Sequence, residues 1–426
     1  MFKKILLENG LRLITVPMGG VSTVTILVMV DTGSNNETKE LSGISHFLEH
    51  MFFKGTTRRP GAKILAEELD RLGAYSNAFT SYEHTGYFIK VRAERFAEAL
   101  DLIADIFQHS LLGEAEVEKE RGVILQEYRM YRDDPQYLVD QTFRELLYGD
   151  QPAGREISGT PETIGRLGVN DLCDYFSRQY TRKNTFVVVA GNLEAAGGDV
   201  SAAVAGAFGA IRSGEPQGRP PVVEPQTEPG VKLFTKDTDQ THLILGARAF
   251  GALEEGKRFP AVVLAHLLGG SMASRLFEEI REKRGLAYAV STSFEDNTTY
   301  GTVATYAGVE HGNAVKVIPL VFAEYQRIRD EMVPDSELVR AKESLKGRLA
   351  ISLESSNAFA FFVGGEEIET GKPMTTDEVF ARIDAVTPRE IQAVAGEVFQ
   401  AERLNLAVVG PHPEPAVFGR ILAEFR

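Results

Sequence analysis

The sequence predicts an α+β protein of two homologous halves, each a mostly antiparallel sheet with helices packed on one face. The first observation behind this is a repeat. Residues 182–191 and 403–410 are both apolar strands introduced by arginine and stopped by glycine. Each follows a helical stretch, opened by Pro161-Glu162-Thr163-Ile164 in one case and by Thr376-Asp377-Glu378-Val379 in the other, at an offset of about 220 residues. The second observation is a proline-rich stretch over residues 213–230, which divides the chain into near-equal parts and reads as an extended linker. The third is the order of elements: strands are followed by runs of helix, without regular βαβ alternation. The expected domains are residues 1–212, the linker 213–230 and residues 231–426.

The elements follow from local pattern. Asn9-Gly10 is a turn signal leading into a strand over residues 11–16. Thr23–Val30 is a β-branched run suited to a buried strand. Residues 62–72, stopped by Gly73, and residues 96–107 carry apolar side chains at helical spacing. Residues 77–80 and 85–91 return to strand. Arg281 and Lys283 precede Gly285 and complement a helix C-terminus, while Tyr288 alternates with Leu286 and Val290 as strand residues do.

Composition narrows the function classes. The chain has 426 residues, 43% of them hydrophobic and 25% charged, ordinary values for a soluble globular protein with room for more than one core. A formal net charge of −14 argues against nucleic acid as the principal partner. Cys173 is the single cysteine, so no intrachain disulfide framework and no thiolate metal site exist. No run of apolar residues is long enough to span a membrane, and the N-terminal residues lack the apolar core of a signal peptide. A cytoplasmic location is the expectation.

One short segment carries chemistry. His46-Phe47-Leu48-Glu49-His50 has the pattern H-x-x-E-H. On a helix, residues four apart project from one face, so both imidazoles can reach a single metal ion with Glu49 beside them. The apolar residues Phe47, Leu48, Met51, Phe52 and Phe53 surround this group and predict a buried helix. A second helix, over residues 114–130, places Val117, Glu120, Ile124 and Glu127 on one stripe at steps of three, four and three. Two carboxylates thus face inward, where each needs a cation or donors; a metal ion is one partner and a buried arginine is the alternative for Glu120.

These motifs resemble the pitrilysin family of metallopeptidases. The family's third zinc ligand lies 77 residues after the second histidine, which falls on Glu127, and its supporting glutamate seven residues earlier falls on Glu120. The resemblance implies one Zn²⁺ per chain held by His46, His50 and Glu127, with Glu49 as the general base of peptide hydrolysis and Glu120 orienting a ligand. Two histidines and a carboxylate also suit Mn²⁺ or Co²⁺. The resemblance further implies that a peptide is added to the edge strand containing Asn77, Ala78 and Phe79, by main-chain hydrogen bonds that tolerate many sequences. His84 is read as a structural histidine near that strand.

Carrying the offset to the zinc motif gives His266-Leu267-Leu268-Gly269-Gly270, and the position of Glu127 falls near Arg348. The second half is therefore a catalytically silent copy in which His266 is a core histidine. By resemblance that half still supplies Arg281, to hold a substrate carbonyl, and Tyr288, to donate to the oxyanion. Because long relatives join four such repeats and this chain has two, a peptide-enclosing chamber implies a homodimer, with a heterodimer containing a degenerate homologue as the alternative. The competing function is a non-catalytic structural or peptide-binding subunit of the same fold, like the cytochrome bc1 core proteins.

Overall fold

The computed structural model describes residues 2–425. The strands are β1 (Lys3–Leu6), β2 (Arg12–Pro17), β3 (Thr23–Val30), β4 (Tyr75–Thr80), β5 (Thr85–Arg92), β6 (Thr185–Gly191), β7 (Gly230–Thr235), β8 (Thr241–Ala249), β9 (Ala287–Asp296), β10 (Gly301–Val309) and β11 (Asn405–Gly410). The helices up to the linker are α1 (Ile44–Phe52), α2 (Ala62–Leu72), α3 (Phe96–His109), α4 (Glu114–Asp133), α5 (Pro135–Tyr148), α6 (Pro161–Arg166), α7 (Val169–Gln179) and α8 (Val200–Ala207). Beyond it come α9 (Glu255–Gly269), α10 (Ala314–Asp330), α11 (Asp335–Ser352), α12 (Ser356–Thr370), α13 (Thr376–Ala385), α14 (Pro388–Val398) and α15 (Ala416–Leu422).

The two sheets repeat one another. The first has the order β1-β2-β6-β3-β5-β4 and the second β7-β11-β8-β10-β9, so the second reproduces the first without β1. Each contains one parallel pair, β2 with β6 and β7 with β11, and is otherwise antiparallel. Both halves are α+β with homologous topology.

The first compact unit comprises residues 1–129, 156–220 and 351–375. Its central strand β3 is buried on both faces because its side chains alternate. Val24, Ile26, Val28 and Val30 enter a core with Phe47, Leu48, Met51 and Phe52 of α1 and Phe96, Leu100, Ile103 and Phe107 of α3. Leu27 and Met29 point the other way and pack with Ala360, Val363 and Ile368 of α12. Most helices thus lie on one face, and α12 covers the other. An aromatic cluster fixes the end of α1, with Phe52 stacked on Tyr87 at 4.7 Å between ring centroids and against Phe176 at 5.3 Å.

The second unit comprises residues 130–155, 221–350 and 376–426. Helix α5 buries Leu138, Val139, Phe143 and Leu147 with Ile244, Ala407 and Val409 of its sheet. Helix α9 packs on β9 and on α14.

The compact units therefore do not end at the sequence boundaries of 212 and 231. Helix α5 follows α4 in sequence but packs in the second unit, and its counterpart α12 follows α11 but packs in the first. The reason is burial: each sheet has a second apolar face that its own half leaves open, and a helix from the other half covers it. Residues 211–229 form no regular strand or helix. The first part of this segment is strapped to the first unit, where Arg219 pairs with Asp31 and with Glu83 at 3.1 Å.

Candidate metal centre

Helix α1 begins where the backbone needs it to. Gly43 caps it at φ 96°, a left-handed conformation that disfavours a side chain, and a Cβ there would meet the Ser158 carbonyl oxygen at 2.6 Å. The Glu37 carboxylate accepts hydrogen bonds from the Gly43 and Ser45 amides at 2.7 and 2.8 Å, placing negative charge at the positive end of the helix. Ile44, Phe47, Leu48, Met51 and Phe52 are all fully buried, so the helix has one orientation.

That orientation brings three donors together. His46 and His50 lie with ring centroids 4.7 Å apart. Glu127 reaches them from α4, with Oε2 3.7 Å from His46 Nε2 and 3.2 Å from His50 Nε2. Ligand atoms of His46, His50 and Glu127 all lie within 4.8 Å of one another, and this is the one such group among the described residues. Two imidazoles and a carboxylate leave a further position open, the donor set of a catalytic zinc site.

The stripe read on α4 is present. Val117, Glu120 and Ile124 are buried and Glu127 is half-buried. Glu120 is 2% exposed and meets two partners. Its Oε2 lies 3.3 Å from His50 Nδ1, and its Oε1 accepts from Lys54 Nζ at 2.7 Å. A carboxylate on the far nitrogen fixes the ring and directs Nε2 toward the metal position. Glu120 thus contacts the His50 ring from behind, and Lys54, absent from the sequence reading, offsets its buried charge. Lys54 stands four residues after His50, a spacing that could have identified it.

The Glu49 carboxylate is held by Thr80, whose hydroxyl donates to Oε2 at 2.6 Å. Burial raises the Glu49 pKa above the ordinary carboxylate range, partly offset by the Thr80 hydrogen bond and His50. Burial and the neighbouring His50 lower the His46 pKa to about 4, so this imidazole is neutral and available as a ligand. For His50, burial acts downward, but hydrogen bonding and charge from Glu127, with Glu120, outweigh it and raise the pKa above 6.5. A zinc ion bound through His50 would therefore have to displace a proton whenever the pH is below that raised value. We expect the zinc dissociation constant to rise by about tenfold for each pH unit below it, measured by competition with a chromophoric chelator. A pH-independent constant would contradict the assignment of His50 as a ligand.

The strand containing Asn77, Ala78 and Phe79 is β4, which among the described residues pairs only with β5 and lies at the edge of the first sheet. Thr80 at its end contacts Glu49, so this edge runs past that carboxylate. The Phe79 ring turns inward onto Phe361 at 5.2 Å and over Gly86, where a Cβ would meet it at 2.2 Å. The Ala78 amide is satisfied at 2.9 Å by the Asn77 side chain. His84 sits in the turn after β4 with its ring against Phe79, and burial together with Arg219 lowers its pKa to about 4.

In the second unit, Arg281 and Tyr288 come together. Residues Phe277–Glu282 form a π-helical turn, wider than the ordinary helix the sequence suggests, and it sets the Arg281 guanidinium 5.8 Å from the Tyr288 ring centroid and 4.9 Å from that of Phe277. Tyr288 is 76% exposed on β9, the edge strand corresponding to β4. His266 is buried in the last turn of α9 and belongs to no metal-capable group among the described residues.

Comparison with known proteins agrees with this arrangement. Residues 16–161 match the insulinase family (peptidase family M16), and residues 166–345 match the peptidase M16 inactive domain. An uncharacterized zinc protease of Bacillus subtilis is 36% identical over 417 residues, covering 96% of this chain and 98% of its own length. One of Streptomyces coelicolor is 34% identical over 411 residues, covering 95% and 88%. Among solved structures, a protease from Helicobacter pylori superposes with a TM-score of 0.89 at 22% identity, covering 96% of this chain and 99% of that one. A chain of Complex III2 from Candida albicans gives 0.84 at 16% identity, covering 99% of each. No helix among the described residues is long and apolar enough to cross a membrane. The chain belongs to the insulinase family of peptidases, M16, whose sequence relatives here carry the name zinc protease.

Proposed function

We propose that this chain is a zinc-dependent endopeptidase that hydrolyses unstructured peptides, with Glu49 as general base. The observation that carries the reading is the convergence of His46, His50 and Glu127 on one point with the Glu49 carboxylate on the same turn of helix. Zinc bound there would supply Lewis acidity toward water and a carbonyl oxygen. His46, His50 and Glu127 would hold it, while Glu120 keeps the His50 ring in place. Glu49, raised in pKa yet held by Thr80, takes a proton from the attacking water and returns it to the leaving amine. A peptide lying along β4 would be bound through its main chain, which requires it to be extended.

The family resemblance adds Tyr288 as donor to the developing oxyanion and Arg281 as holder of a substrate carbonyl. It also adds a second copy of the chain to enclose the peptide. The test is cleavage of an unstructured peptide by the zinc-loaded chain, with products identified by mass spectrometry. Tyr288→Phe, which removes one hydroxyl from an exposed ring, is expected to lower kcat by about 10²–10³-fold at unchanged zinc content. Equal turnover in this variant would remove Tyr288 from the mechanism. Bound zinc without cleavage by wild type, alone or in a heterodimer, would favour the non-catalytic subunit.

A further inference from the structure

We propose that the second unit carries an anion site that takes a phosphate group, in the cleft corresponding to the metal centre of the first. Helix α11 begins 221 residues after α4, so Glu127 corresponds to Arg348, as His46 corresponds to His266 within the repeat. The cleft between the end of α9 and α11 measures about 250 Å³, and His266, Ser271, Ser344, Arg340, Arg348 and one carboxylate, Glu337, line it. Where the first unit presents carboxylates to two histidines, the second presents guanidinium groups to one. The repeat has kept the hollow and reversed its charge.

Three features point to a ligand. His266 is 6% exposed, yet its Nε2 is buried with no hydrogen-bond partner, and a nitrogen in that state loses its solvation without compensation. Neither Arg340 nor Arg348 has a carboxylate partner among the described residues; Arg340 makes a single bond, from Nη2 to the Ala273 carbonyl at 3.3 Å. The nearby carboxylate Glu337 is already engaged in a two-pronged pair with Arg275 at 2.8 and 2.9 Å, so it neutralises neither. Both arginines are exposed to solvent, so the charge they bring to the cleft is met by water until an anion binds.

The chemistry selects the class of anion. A carboxylate has two oxygens and is satisfied by one arginine fork. A phosphate has a tetrahedral set of acceptors that can share two forks, the Ser271 and Ser344 hydroxyls and the bare imidazole nitrogen. The cleft has room for a phosphate and accompanying water but is smaller than the cavities that usually enclose drug-sized ligands, about 300–1,000 Å³. Inorganic phosphate and a phosphomonoester share the required chemistry.

This proposal stands apart from the peptidase reading. Isothermal titration of the zinc-loaded full chain with inorganic phosphate and with O-phosphoserine, at constant ionic strength, tests it, with sodium acetate as the carboxylate arm. Saturable binding of either phosphate source is expected, weakened at least about tenfold by Arg348→Ala and by Arg340→Ala with zinc content unchanged. The tighter of the two sources identifies the free anion or the monoester. A His266 imidazole resonance that moves on titration in wild type, and is still in Arg348→Ala, would place the anion in the cleft. No saturable binding, equal affinity in the variants, or acetate binding as tightly as phosphate would overturn the proposal.

Discussion

Glu49→Gln is expected to lower kcat for peptide cleavage by about 10²–10⁴-fold while leaving zinc binding intact. Glutamine keeps the volume of the side chain and can still accept from Thr80, so helix α1 and the ligands on it stay in place. What is lost is the ability to take a proton. The same group sets the acid limb of the pH profile. Burial raises the Glu49 pKa, and only the ionised form is a base, so the wild-type rate should fall as pH falls through that raised value. Turnover close to wild type in Glu49→Gln would assign the base to another residue.

The second large effect concerns the metal. Glu127→Gln removes the ligand contributed by α4 and leaves two imidazoles, so zinc affinity should fall well beyond the ~10–100-fold that loss of a supporting contact costs. Glu120→Gln supplies that smaller reference. It leaves all three ligands but weakens the contact to His50 Nδ1 and leaves Lys54 without its 2.7 Å carboxylate partner. The expected order of zinc affinity is wild type, then Glu120→Gln, then Glu127→Gln, measured by competition with a chelator. If Glu120→Gln lost as much as Glu127→Gln, Glu120 would itself be a ligand.

Much of the metal centre was legible because its requirements are local. Two histidines four apart need only a helix to converge, and an apolar run around them indicates that the helix is buried. Glu120 and Glu127 were legible for a related reason: a carboxylate on the apolar stripe of an amphipathic helix conflicts with burial, and the conflict marks a partner. Strand β3 and helix α2 were readable to their ends because a β-branched run and a terminal glycine define them.

The unread features depend on contacts distant in sequence. Helices α5 and α12 each show an apolar face, but such a face does not name the sheet it will cover, and both pack in the unit opposite to their place in the chain. Thr80 was read as a strand residue, and its bond to Glu49 follows from the register of β4 beside α1, which no periodicity reveals. The π-helical turn at Phe277–Glu282 has an ordinary helical sequence, and its wider winding shows where the Lys283 amide closes back on the Glu278 carbonyl at 2.9 Å. His266 was read as a core histidine, and it is buried; the charge of the cleft around it depends on Arg340 and Arg348 from another helix.

The most direct test is a titration of metal-free protein with zinc while cleavage of an unstructured peptide is followed. Activity should rise in proportion to added zinc and stop rising at one equivalent per chain, and His46→Ala should show neither binding nor turnover. Full zinc occupancy without cleavage, or cleavage that persists in the metal-free chain, would contradict the account.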